Sequence, residues 1–154
     1  MNEKLKLTVE LVPKPLWGVN ARSAMGQTNW DKVRNETYAK YNHQCGICGA
    51  EGRLEAHEIW QYDDKKLVQR LAGIVALCPM CHSVKHLGRT EILASEGKVD
   101  LERVIAHFEA VNGCSRKDFN AHRKAEATLW AERSANKNWT LDWGEFQRYV
   151  KSRP

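Results

Sequence analysis

The hydrophobic pattern of the chain begins with a strict alternation of apolar and polar residues. Every second position of residues 5–11 is Leu or Val, and the positions between them are Lys, Thr or Glu. This period of two predicts a β-strand with one buried face, which ends at Pro13. Within residues 28–41 the apolar spacing becomes helical, which predicts a helix capped by Thr28 or Asn29.

The central part of the chain predicts one hairpin strand and two short helices. Residues 49–52 form a turn signal, and residues 53–59 are expected to be the second strand of a β-hairpin. Residues 63–71 are expected to form a short helix, because two Asp residues at its start can cap it. A further helix is expected over residues 81–87, where Gly88 would stop it.

The last third of the chain predicts mainly helix. Asp100 is expected to cap a helix that ends at Gly113, and Ser115 a longer helix up to about Ala135. The expected fold class is therefore α+β. We expect three segments: an N-terminal strand and loop (residues 1–27), a central domain (residues 28–97) and a C-terminal helical extension (residues 98–154).

Four of the five cysteines stand in two CxxC pairs. Cys45 and Cys48 form the first pair, Cys78 and Cys81 form the second, and residues 49–77 separate them. Two such pairs can present four thiolates to one tetrahedral Zn²⁺. The start of the chain does not have the apolar core of a signal peptide, so we expect a cytoplasmic protein whose thiols bind zinc and do not form disulfides.

The charge balance is modestly basic. Lys and Arg number 24 against 19 for Asp and Glu, a formal net charge of +5. Four thiolates with one Zn²⁺ would lower it to +3, and a second divalent ion would restore +5. Such an excess favours a polyanionic partner such as nucleic acid. No apolar stretch approaches the length of a membrane span, so we expect no membrane partner.

Three histidines are placed around the cysteine pairs in a way that a purely structural zinc site does not require. His57 lies between the two pairs, and His82 and His86 follow the second pair. The spacing of four puts His82 and His86 on one face of a helix. This arrangement suggests a second metal ion. His43, next to the first cysteine pair, is expected to support a metal ligand from behind or to be solvated. His107 and His122 are expected to be ordinary surface or core histidines.

The stretch from Cys45 to His86 resembles the HNH endonucleases, a ββα-metal nuclease family. The matching segments are CGICG, LEAHEI and IVALCPMCHSVKH, which resemble the four-cysteine branch of that family. The whole chain is also similar to small bacterial and phage HNH proteins. The resemblance implies that residues 28–97 hold a catalytic divalent ion (Mg²⁺, Mn²⁺, Ni²⁺ or Zn²⁺) beside a structural Zn(Cys)₄ site. It also implies hydrolysis of phosphodiester bonds in DNA, expected to be double-stranded, in a bacterial or phage-infected cell.

The resemblance also implies roles for individual residues. His57, His82 and His86 fall on the positions that bind the catalytic ion. Glu58 falls where the family has its general-base histidine, and Gly73 falls where it has an asparagine that orients that base. These two differences from the family pattern are consistent with each other: without a histidine at position 58, no asparagine is needed at position 73 to orient it. A carboxylate base of ordinary pKa, near 4.3, is weaker than an imidazole.

The same residues are consistent with other assignments of the base and of the function. In another register of the motif, His57 is the base and Ala56 occupies the ligand position. A site that binds metal and nucleic acid without cutting is also consistent with the missing histidine base. The chain would then be a non-catalytic zinc module that binds nucleic acid or protein, or an interaction protein that keeps a nuclease-like scaffold.

Several basic side chains are expected near the site and could contact DNA phosphates, and Trp60 could line the DNA groove. The C-terminal helices are expected to extend the DNA surface or to form a homodimer or protein interface. The basic candidates are Lys65, Lys66, Arg70, Lys85 and Arg89.

Overall fold

The computed structural model describes residues 4–150. It combines helices with one small sheet, so the α+β class is confirmed. The helices are α1 (Ala21–Met25), α2 (Gln27–Lys40), α3 (Pro79–Lys85), α4 (Leu87–Ser95), α5 (Leu101–Asn112) and α6 (Arg116–Ser134). The strands are β1 (Glu55–Asp63), β2 (Val68–Leu77) and β3 (Thr140–Asp142), and 3₁₀ helices cover Lys14–Leu16 and Gly144–Tyr149.

The sheet is a long antiparallel hairpin with a short strand added to it. β1 pairs with β2 from Glu55 opposite Leu77 to Asp63 opposite Val68, with a register shift at Ile59 and Trp60. β3 runs parallel to β2, in the sheet order β1-β2-β3. The end of β2 leads directly into α3, so the hairpin and this helix are held together at one end.

The predicted N-terminal strand is wrong, although its predicted burial is right. Leu7 and Val9 are buried, but residues 5–11 pair with no strand of the described chain. Side chains accept the backbone N–H groups instead: Asn112 Oδ1 accepts from Leu7 and His122 Nε2 accepts from Val9. Alternating polarity predicts which side chains are buried, but it does not predict which groups form hydrogen bonds with the backbone N–H and C=O groups.

The predicted helix at residues 63–71 is also wrong, since this segment forms the turn and second strand of the hairpin. Asp63 Oδ1 accepts the N–H groups of Lys65 and Lys66, as an N-cap would, but here the bonds close a turn. β1 is accordingly the first strand of its hairpin and not the second. Asp64 forms an ion pair with Arg133 of α6 at 2.8 Å.

The other helices follow the sequence signals closely. Asp100 caps α5, Gly113 ends it in the left-handed conformation, and Ser115 forms a capping box with Asp118 at the start of α6. α2 begins after Gly26, slightly before the predicted caps. Gly88 does not end the helical region: the chain bends at His86, and α4 begins at Leu87.

Two hydrophobic clusters form the core, and both combine residues from distant parts of the chain. The first joins the N-terminal segment to β2, α3, α5 and α6, and the second joins α1 and α2 to β2 and the residues after β3. The first includes Leu7, Val9, Leu77, Val84, Phe108 and Phe119, together with three of the paired cysteines. Within residues 4–150, no helix combines the length and the apolar character that a bilayer crossing requires.

Candidate metal centres

The two CxxC pairs come together in one cluster that can hold a zinc ion. Their four Sγ atoms lie within 4.8 Å of one another. The N–H of Cys48 donates to Cys45 Sγ at 3.5 Å, and the N–H of Cys81 donates to Cys78 Sγ at 3.4 Å. Each pair is thus a tight turn that directs both sulfurs to one point, as tetrahedral Zn²⁺ requires.

The first turn of the cluster depends on a glycine. The N–H of Gly46 donates to the carbonyl of Ala76 at 2.8 Å, which ties this turn to β2. A Cβ at position 46 would lie 2.6 Å from the ring of Tyr41 and 2.8 Å from Val75. Only glycine therefore fits between the turn and the hairpin.

The thiols differ in how readily they ionise. Burial acts to raise the pKa of Cys45, but backbone N–H groups that donate to its sulfur lower it to about 7. Burial and then the negative charge of Cys45 and Cys78 raise the pKa of Cys81. Full ionisation of the cluster therefore needs a cation at its centre. His107, expected to be an ordinary histidine, places its Nε2 3.2 Å from Cys81 Sγ.

The three predicted histidines also converge. His57 comes from β1, His82 from α3 and His86 from the residue after α3, and their coordinating nitrogens lie within 4.8 Å of one another. The ring centroids are 4.6 Å apart for His82 and His86, and 4.9 and 5.3 Å apart for the pairs that involve His57. Such a set of nitrogens can hold a divalent ion.

Two carboxylates that the sequence motifs did not single out hold two of these rings. His57 Nε2 donates to Glu10 at 2.9 Å, and His82 Nδ1 donates to Glu55. Histidines that bind metals usually donate their second N–H to a carboxylate or carbonyl, which orients the ring. The position of Glu55, two residues before His57 on one strand face, was a usable signal. Glu10 gave none, since it lies 47 residues from its partner.

The second nitrogen of His57 is buried without a partner. His57 is 4% exposed, and its Nδ1 has no hydrogen-bond partner within the described chain. When Nε2 donates to Glu10 and the ring is neutral, the lone pair is on Nδ1. An unpaired polar atom costs free energy in a protein interior, so this nitrogen is well suited to bind an ion.

The electrostatics keep two of the rings neutral at pH 7. Desolvation, and then the charges of His57 and His82, lower the pKa of His86 to about 4. Desolvation likewise lowers the pKa of His82, against the opposing charge of Glu55. A metal ion binds the neutral imidazole, so both rings are in the binding form.

Glu58 lies beside this site, and Gly73 has no side chain that could orient a base. Glu58 and His86 line the same cavity of about 590 Å³, and Glu58 Oε1 accepts the N–H of Ala21 at 3.4 Å. The Glu58 carboxylate is near enough to His82 to act on its pKa. Gly73 pairs with Ile59 across the hairpin.

The five basic candidates do not form one surface. Lys85 is buried, and its Nζ donates to Thr8 and to Glu10 at 2.9 and 3.1 Å, so its predicted role at a DNA phosphate is wrong. Lys65 and Lys66 lie in the hairpin turn, which starts roughly 20 Å along β1 from His57.

The two remaining basic candidates, both arginines, lie in different surroundings. Arg70 lies 3.7 Å from Asp142, while exposed Arg89 lines the cavity beside His86. Trp60 lines that cavity as well. Of the predicted phosphate contacts, Arg89 is therefore the one that adjoins the histidine cluster.

Comparisons of the chain with protein-family models, curated proteins and solved structures found no match. The resemblance to HNH nucleases therefore rests on the sequence motifs alone.

Proposed function

We propose that this protein is a metal-dependent DNA endonuclease or nickase of the HNH type. Its zinc is held by the four cysteines, and its catalytic divalent ion by His57, His82 and His86. The observation that carries the proposal is the convergence of His57, His82 and His86, each of which offers one ring nitrogen within 4.8 Å of the others. The buried, unpaired Nδ1 of His57 supports it.

The ligand set favours a reactive ion over a structural one. Three nitrogens leave coordination positions open for substrate and water, whereas a structural site is closed by four protein ligands. His86 lines a cavity of about 590 Å³, so a substrate that entered this cavity would lie against one of the three histidines. A divalent ion held there would polarise the scissile phosphate and stabilise the leaving oxygen.

Glu58 is the base that the geometry supports best. It lines the cavity next to His86, and no cationic side chain pairs with it in the described part of the chain. The N–H of Ala21 positions its carboxylate, which can accept a proton from an attacking water. His57 is a poorer candidate, because its Nε2 is engaged by Glu10 and its ring is buried.

Metal content and plasmid nicking test the proposal together. We expect two metal ions per chain in the wild type by native mass spectrometry, and one in a His82→Ala/His86→Ala double variant. The double variant should nick supercoiled plasmid at least about 100-fold more slowly with Mg²⁺, Mn²⁺, Ni²⁺ or Zn²⁺. His43→Ala is the matched control, since this exposed histidine lies outside the cluster.

The base is tested in the same assay. Glu58→Gln should keep both metals and lose about 10²–10⁴-fold in rate, whereas His57→Ala should lose the second metal. Folded, zinc-loaded protein that nicks with none of the four metals would remove the nuclease proposal. One metal per chain, unchanged in the double variant, would instead favour a non-catalytic zinc module.

A further inference from the structure

The cavity beside His86 is mainly apolar, and exposed hydrophobic side chains surround it. It lies between the N-terminal segment, β1, α4 and α6. Trp17, Val19 and Ile92, which are 58%, 39% and 62% exposed, all line it. Among the described residues, Ile59 is the one other large hydrophobic side chain with such exposure. Clustered exposure of this kind marks a binding surface.

Two tryptophans form a fixed aromatic wall of the cavity. The indole N–H groups of Trp17 and Trp130 both donate to the carbonyl of Val12, at 2.8 and 2.9 Å. Their ring centroids are 6.1 Å apart and their planes differ by 23°. Trp17 is thus exposed but held in place, so a flat ligand could stack on it with little loss of side-chain entropy.

The charges that line the cavity are largely neutralised. Arg123 donates two hydrogen bonds to Glu91, at 2.8 and 2.9 Å, and Glu10 is engaged by His57 and Lys85. The remaining charged groups, Glu58 and Arg89, belong with His86 to the proposed catalytic region. The tryptophan wall therefore suits an uncharged aromatic group, while a phosphate would lie toward His86 and Arg89.

We infer that this cavity receives the base of an unpaired nucleotide, an inference that rests on the proposed nuclease function. The substrate is then DNA with at least one unpaired nucleotide next to the cleaved phosphate. A base within an intact duplex would first have to leave its stack, which costs free energy that an unpaired base does not lose. Stacking on an aromatic side chain is tolerant of sequence, so the enzyme selects structure and not sequence.

The inference is tested by binding to two DNA duplexes of equal charge. One carries a two-nucleotide bulge, and the other carries the same bulge with abasic residues. Fluorescence anisotropy on zinc-loaded protein without added divalent ion should show about tenfold tighter binding to the bulge that keeps its bases. A factor of ten falls within the range for one base stacked on an aromatic side chain.

The substituted side chains are exposed, so we expect the variants to fold. Trp17→Ala and Ile92→Gln should each reduce the preference for the base-containing bulge to less than about threefold, and Trp17→Phe should keep most of it. Ile59→Ala is the control, because this exposed side chain lies outside the cavity. It should bind both duplexes as the wild type does.

The outcomes separate this inference from the nuclease proposal. Equal wild-type affinity for the two bulges, or a preference that survives in Trp17→Ala, overturns the inference even if the protein cuts DNA. A preference that Trp17→Ala abolishes supports the base site even if no metal produces cleavage, and in that case the nuclease proposal alone fails.

Discussion

At the scale of single residues, the histidine cluster depends on acidic side chains that hold the rings. Glu10 binds the Nε2 side of His57 and Glu55 binds the Nδ1 side of His82. Lys85 also donates a hydrogen bond to Glu10. Burial acts to raise the pKa of the Glu10 carboxyl, but the hydrogen bond from His57 and the charge of Lys85 outweigh burial and lower this pKa below its usual value. The imidazole that contacts Glu10 therefore faces a permanent carboxylate at neutral pH.

We predict that Glu10→Gln weakens metal binding at the histidine cluster about 10–100-fold, because the amide orients and polarises His57 less well than a carboxylate does. Calorimetric titration with Co²⁺, after zinc has filled the cysteine cluster, measures this. Glu96→Gln is the control, since Glu96 forms a surface ion pair with Lys98. Unchanged affinity in folded Glu10→Gln would contradict the role of Glu10.

The convergence of the four cysteines, and of His82 with His86, could be predicted from the sequence because their spacings are short and regular. CxxC and CHxxxH each place two ligands within one turn or one helix face, so local geometry brings them together. Glu10 could not be found in this way, because no local rule relates it to His57. The burial of Lys85 escaped prediction for the same reason: its partners are Thr8 and Glu10.

At the scale of elements, the hairpin and α3 present both clusters. β1 supplies His57, while the end of β2 and α3 supply Cys78, Cys81 and His82. α3 has only seven residues, but Cys78 caps it and Pro79 occupies its first position. The loop that carries Cys45 and Cys48 is then held against β2 through Gly46.

We predict that Gly46→Ala destabilises the protein by about 1–3 kcal/mol, since the added methyl group overlaps Tyr41 and Val75. Gly88→Ala is the matched control: its Cβ would lie 3.7 Å from Leu11, an ordinary contact, and alanine favours helix α4. That variant should be as stable as the wild type or up to about 1 kcal/mol more stable. Urea unfolding measures both, and equal stability of the two variants would show that the close approach at Gly46 is relaxed in solution.

The errors in element prediction have a common physical origin. An Asp that accepts the N–H groups two and three residues later begins a helix in one context and closes a turn in another, and Asp63 does the latter. The hairpin prevails because its long ladder with β1 satisfies the backbone of β2. The caps of α5 and α6 were predictable because Asp100 and Ser115 bond backbone N–H groups in the first turn of their own helices.

At the scale of the whole molecule, the N-terminal segment packs against helices of the last third of the chain. Leu7 and Val9 are buried with α5 and α6 in the first cluster. The N–H of Val9 donates to His122, whose ring stacks on Phe108 with 5.6 Å between centroids. Long-range contacts of this kind do not follow from any local pattern.

We predict that His122→Ala lowers the free energy of unfolding by about 1–3 kcal/mol at pH 7, because the buried N–H of Val9 loses its acceptor. His122→Gln, whose side-chain oxygen can accept the same bond, should cost less. Chemical denaturation of zinc-loaded protein measures both effects. Equal stability of the wild type and His122→Ala would show that this contact contributes nothing.

The same histidine contributes a pH dependence of known sign. Burial, with the charge of Lys85, lowers the pKa of His122 in the folded protein below its ordinary value of 6.5. The unfolded chain therefore takes up the proton first, so this contribution to stability is complete above pH 6.5 and falls as the pH drops below it. His122→Gln should lose less stability than the wild type between pH 7 and 5.

Cys81 and His82 are consecutive residues of α3, and Cys78 is the cap of that helix. A helix this short does not persist without its anchors. An oxidant that converted the four clustered sulfurs to disulfides would therefore also release the backbone that positions His82 and His86. Peroxide would therefore disturb the arrangement of the three imidazoles without modifying one of their atoms, so the histidine cluster would be sensitive to oxidation through the neighbouring cysteines.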